Sequence, residues 1–97
     1  MKKISVIGMG YVGTAMATLI ASTKKGKNKK YFVTGIEQSS KSGKVISKKI
    51  NSGILPIEIN DNNFKNKFFI TKNKEKNLVC SNSIKDIFIF SNKSIWI

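Results

Sequence analysis

Gly8-Met9-Gly10-Tyr11-Val12-Gly13 decides the fold of this chain. It follows a short apolar stretch, Lys3-Ile4-Ser5-Val6-Ile7, and opens into a helical pattern from about Tyr11 to Ser22. A G-x-G-x-x-G spacing has physical meaning only between a strand and a helix. There, Gly8 permits the tight turn off the strand. Gly10 carries no side chain, so backbone can approach a pyrophosphate. Gly13 lets the helix lie close on the sheet. The helix N-terminus then offers unpaired N–H groups and the positive end of its dipole to phosphates.

Outward from the loop, Val12, Ala15, Met16, Leu19 and Ile20 recur at helical spacing, a stripe expected to pack on the sheet. The cluster Lys24-Lys25-Gly26-Lys27-Asn28-Lys29-Lys30 reads as a solvated loop, with Gly26 as a helix breaker. Tyr31-Phe32-Val33-Thr34-Gly35-Ile36 reads as the second strand, completing a βαβ unit. Glu37 ends that strand, 24 residues after Gly13, near the spacing expected for the acid that holds the adenosine ribose. A carboxylate there accepts from ribose hydroxyls and repels a 2′-phosphate, so the charge favours NAD over NADP. Taken alone, Glu37 is equally an ordinary exposed glutamate at a strand end.

Farther along, Ser39 and Ser40 are positioned to cap a helix over Lys41 to Asn51, with Val45, Ile46 and Ile50 as a narrow apolar face. Ile54-Leu55-Pro56-Ile57 reads as extended, and Glu58 to Asn66 as a loop or short irregular helix. Phe68-Phe69-Ile70-Thr71 is expected as a third strand, Lys74 to Ser83 as a weak helix, and Ile87-Phe88-Ile89-Phe90 as a buried fourth strand. The fold class is α/β: a partial Rossmann-like, doubly wound parallel sheet of about four strands with crossover helices, in an order like 3-2-1-4. Residues 1–91 form the expected NAD-binding domain, incomplete, with 92–97 as a non-matching tail.

Composition narrows the function. With 97 residues the chain holds at most one small domain. The formal charge is +13, yet all eighteen basic residues are lysine, and Lys, Asn and Ile together supply 43 of the 97 residues along the whole length. Arginine, the usual reader of guanine edges and phosphate forks, is absent, so the charge reads as a compositional bias and no nucleic-acid partner is expected. No apolar run has membrane-spanning length and the N-terminus does not read as a signal peptide, so a cytoplasmic protein without membrane contact is expected. With one cysteine, Cys80, and no histidine, neither a disulfide nor a metal site is expected. Cys80 falls on the expected weak helix as a small buried hydrophobe.

The order of these pieces resembles the N-terminal domain of the UDP-glucose/GDP-mannose (nucleotide-sugar) dehydrogenase family. Residues 3–13, with Tyr-Val inside the glycine loop, resemble that family's opening; Val33-Thr34-Gly35-Ile36-Glu37 resembles its second strand and ribose-binding acid. Ile50-Asn51-Ser52-Gly53-Ile54-Leu55-Pro56-Ile57 resembles the segment after its second helix, and Asp86 sits where the family has an acid before its fourth strand. The resemblance covers about residues 2–90. It implies NAD as cofactor, the amides of Met9 to Gly13 on the pyrophosphate, Glu37 on the ribose, and Lys44 in place of an arginine near the adenosine. Family members oxidise the C6 alcohol of a nucleotide-activated sugar to a carboxylate with two NAD, so a nucleotide-sugar partner belongs to the full-length parent.

Two departures stand beside the likeness. After Leu-Pro-Ile the chain reads Glu58-Ile59-Asn60-Asp61-Asn62 in place of the family's acidic-Pro-Gly-Leu stretch. After Phe90 it reads Ser91-Asn92-Lys93-Ser94-Ile95-Trp96-Ile97 where a Thr-Pro turn is expected. No residue here matches the family's nucleophilic cysteine region, so the expectation is a truncated or frameshifted N-terminal part, without catalytic residues and inactive alone. An autonomous NAD-binding module without catalysis, or a fragment of another NAD-dependent dehydrogenase, are the alternatives.

Overall fold

The computed structural model describes residues 2–83 and 93–96. Strand β1 (Lys2–Ile7) leads through the glycine loop into helix α1 (Tyr11–Ala21), as the local pattern predicts. The lysine cluster is not an open loop. It folds into a small antiparallel hairpin, β2 (Lys24–Lys25) with β3 (Asn28–Lys29), turning at Gly26. Strand β4 (Tyr31–Ile36) then pairs parallel with β1, Ile4 opposite Val33 and Val6 opposite Gly35.

Helix α2 (Lys41–Asn51) starts on Ser40, whose Oγ accepts from the Gly43 amide at 3.2 Å. It stops in a Schellman turn: Gly53, at φ +79°, lets its own amide reach the Ile50 carbonyl and the Ile54 amide reach the Lys49 carbonyl at 2.8 Å.

The expected third strand at Phe68–Thr71 is helical instead. Asp61 Oδ1 accepts from the amides of Asn63 and Phe64 and so caps α3 (Asn62–Phe69), which runs into a π-helical turn, Ile70–Lys74. The aromatic run suits a strand by propensity, yet it has only one buried face. Phe68 and Thr71 are buried while Phe69 is half exposed, a helical spacing. The sheet's third position goes to β5 (Leu78–Ser81), inside the stretch expected to be a weak helix. Leu78 and Cys80, two residues apart, both enter the core, which needs the strand period of two.

The sheet order is β5-β4-β1-β6, all parallel, with β6 (Lys93–Trp96) on the far side of β1. This is a partial Rossmann-like sheet of order 3-2-1-4, with Leu78–Ser81 in the third place and Lys93–Trp96, from the stretch read as a tail, beside β1 in the fourth. The residues Asp86 and Ile87–Phe90, read as a fourth strand with its preceding acid, lie outside the described residues.

The core lies on the face bearing Val6, Val33, Leu78 and Cys80, where Ala17, Ala21, Ile50 and Phe68 pack. On α1 the burial differs from expectation. Gly13, Thr14, Ala17, Thr18 and Ala21 face inward, while Val12 and Leu19 are 57% and 49% exposed. A helix drawn tightly onto a sheet leaves room only for small side chains, so close approach overrides the larger apolar stripe.

Candidate functional site

The glycine loop and Glu37 leave the carboxyl ends of adjacent strands, where parallel sheets place their ligand crevices. Gly8 stands at φ +93°, a left-handed conformation that turns the chain off β1, and its amide still donates to the Ile36 carbonyl at 2.8 Å. The loop is then anchored at Met9 from three sides. The Met9 amide donates to Glu37 Oε1 at 2.8 Å, and the Met9 carbonyl accepts from Thr14 Oγ1 at 2.8 Å. The Met9 side chain, fully buried, lies over Gly35, where a Cβ would stand 2.6 Å from its sulfur.

Gly10 and Gly13 do different jobs. A Cβ on Gly13 would fall 1.6 Å from the Gly8 carbonyl oxygen, so helix and loop touch there backbone to backbone. A Cβ on Gly10 meets nothing within 4 Å; its surroundings are open. Gly10 is the N-cap of α1 and offers no side-chain cap, and no acid lies in the first turn. The amides of Tyr11, Val12 and Gly13 have no partner among the described residues. The Tyr11 and Val12 side chains are 62% and 57% exposed. Three unpartnered donors and the positive helix end thus lie next to Gly10, a position without side-chain bulk, a setting that suits an anionic oxygen.

Glu37 holds the other side. Besides Met9, its carboxylate accepts from the Gln38 amide through Oε2 at 2.9 Å. Two ionised oxygens offer about four acceptor positions, so each retains capacity for a hydroxyl donor. Asn82 Nδ2, from the end of β5, donates to the Gln38 carbonyl at 2.9 Å and steadies this turn. The predicted residues Gly8, Met9, Gly10, Tyr11, Val12, Gly13 and Glu37 are thus brought together around one loop. Lys44 is exposed on the first turn of α2. An open groove of about 700 Å³ runs along that helix from its N-cap, lined by Ser40, Lys41, Val45, Ile46, Lys49 and Pro56 among others.

Thr14, Gly35 and Asn82 escaped the sequence reading. Thr14 had a local signal, a hydroxyl directly after the last glycine, and Gly35 had one in its place within a strand. Asn82 had none, because its partner lies 44 residues away. Cys80, expected on a helix, is in β5 and 7% exposed, its sulfur 3.3 Å from Ser47 Oγ. Burial pushes its thiol pKa up, against the opposing effect of the hydrogen bond it shares with Ser47. Among the described residues no cluster of His, Cys, Asp and Glu suits a metal ion, and no helix is long and apolar enough to cross a membrane.

No protein-family model and no curated protein matches this chain. Among solved structures it is similar to the NDP-N-acetyl-D-galactosaminuronic acid dehydrogenase from Methanosarcina mazei Go1, with a TM-score of 0.74 and 27% identity. The match covers 97% of this chain and 19% of that one, so the chain spans about a fifth of that enzyme's length. Its likeness, in backbone and in part of its sequence, is to a region of that dehydrogenase.

Proposed function

We propose that the chain is the NAD-binding part of a nucleotide-sugar dehydrogenase, an enzyme that oxidises the C6 alcohol of a nucleotide-linked sugar to a carboxylate. The observation that carries this reading is the meeting of Glu37 with the glycine loop at the carboxyl ends of β1 and β4. The amides of Tyr11 to Gly13 and the open face at Gly10 suit a pyrophosphate, and the free acceptor positions of Glu37 suit ribose hydroxyls. Likeness to a dehydrogenase of NDP-linked sugars supports the same substrate class. Bound NAD supplies the hydride acceptor. The role of these residues is to bind and orient it, and none of them is a catalytic nucleophile.

Calorimetric titration of the folded protein with NAD and with NADP tests the proposal. NAD is expected to bind and NADP to bind at least about tenfold more weakly, one misplaced charge costing about 1.4 kcal/mol or more. Absence of NAD binding by a protein with native circular dichroism refutes it.

A further inference from the structure

Among the described residues, strand β5 is one of the two outer strands of the sheet, and its edge is closed by side chains. The Val33 amide donates to the Asn77 carbonyl and the Glu37 amide to the Ser81 carbonyl, both at 2.9 Å. In a parallel ladder alternate residues point the same way, so Leu78 and Cys80 turn their backbone groups outward. An exposed edge of this kind is a template for another strand. Here Asn51 Nδ2 donates to the Cys80 carbonyl at 2.8 Å, and the Cys80 amide donates to Asn51 Oδ1 at 2.9 Å. One carboxamide thus engages both backbone groups of Cys80, as a residue of a neighbouring strand would. Lys72 Nζ donates to the Leu78 carbonyl at 2.9 Å.

The anchoring is rigid on both sides. Asn51 is the last residue of α2, fixed by the Schellman turn, and Ile50 beside it is fully buried. Lys72 comes from the π-helical turn, which narrows back toward β5 through the Asn77 amide bonded to the Thr71 carbonyl.

We infer that Asn51, with Lys72, is a built-in strand surrogate that keeps the β5 edge closed against pairing with the β5 edge of a second copy of this chain. The second copy is the fitting occupant because two identical edges brought together antiparallel satisfy each other's Cys80 groups about a two-fold axis.

Amide hydrogen exchange by NMR tests this on the wild-type protein. Cys80 and Leu78 both point outward, but only the Cys80 amide has a partner among the described residues. Cys80 is expected to exchange at least about tenfold more slowly than Leu78. In Asn51→Ala that protection disappears, while Val79 and Ser81, facing β4, stay within about threefold of wild type. Sedimentation of Asn51→Ala is expected to show concentration-dependent dimers or larger species where the wild type does not. Wild-type Cys80 exchanging as fast as Leu78 overturns the inference, and does so without any variant having to fold. Unchanged Cys80 protection in folded Asn51→Ala, or an Asn51→Ala protein that sediments like wild type, overturns it equally.

Discussion

Replacing Gly13 by alanine separates the structural duty of the glycine loop from its proposed ligand-facing one. The added Cβ would lie 1.6 Å from the Gly8 carbonyl oxygen and 2.8 Å from its carbon. Ordinary contact is about 3.5 Å, so α1 and the loop must part by about 1.5–2 Å. The obstacle is backbone, which cannot rotate aside, so the overpacking cost falls near the upper end of about 1–3 kcal/mol. Alanine's better helix propensity returns about 1 kcal/mol. The net loss is about 2 kcal/mol, which for a domain this size lowers Tm by about 8–16 °C. Gly10→Ala is the control. Its Cβ meets nothing, so stability falls by no more than about 1 kcal/mol for an alanine N-cap. That methyl would nonetheless stand where the pyrophosphate is proposed to approach, and NAD affinity is expected to drop at least about tenfold, a cost of about 1.4 kcal/mol. Thermal circular dichroism and calorimetry read the two effects. A Gly13→Ala protein melting within about 2 °C of wild type, or a Gly10→Ala protein that loses as much stability, refutes the reasoning.

Asp61→Ala removes the acceptor for the amides of Asn63 and Phe64 and should cost about 1 kcal/mol in urea denaturation, read as a lower midpoint at unchanged slope. Cys80 should react with a thiol reagent only as fast as the protein opens, because burial raises its pKa and hides the sulfur. The same shift has a sign for stability. A thiol whose folded pKa is raised holds its proton longer in the folded chain, so its contribution is whole below the unfolded pKa. It is lost as the pH rises through the folded value. Cys80→Ala should therefore lose less stability than wild type between neutral and strongly alkaline pH, a difference that guanidinium titrations at several pH values will reveal.

The path from β1 through α1 to β4 and Glu37 was legible, apart from the lysine hairpin and the buried face of α1, because its instructions are local. A glycine turn, a helix start and a strand-ending acid each act over a few positions, and the structure keeps all of them near one another. Legibility failed where two readings of the same residues differ only in what they are packed against. Phe68 to Thr71 has strand propensity, yet the Asp61 cap starts a helix that carries through it, whereas Leu78 to Ser81 has an unremarkable composition and becomes the strand. The buried face of α1 was misjudged for a related reason. Hydrophobicity marks Val12 and Leu19, but the spacing between helix and sheet is set by Gly13 against Gly8, and that admits Ala17 and Thr18 instead. Asn51 stood out in the sequence as part of a pattern. Its hydrogen bonds to Cys80 became visible only when β5 took its place at the edge.

On the proposed reading, in which Glu37 holds the ribose, the bond from the Met9 amide to Glu37 ties ligand preference to architecture. A protein engineer wishing to convert this chain to accept a 2′-phosphate would begin by exchanging Glu37 for a small neutral residue. That change also strips the loop of an acceptor for a partly buried amide, at a cost of about 1–3 kcal/mol. With such a small residue, preference and loop shape change together, and a second substitution must return an oxygen to Met9. Glu37→Gln removes the charge and keeps an acceptor oxygen, so it is the conservative starting point.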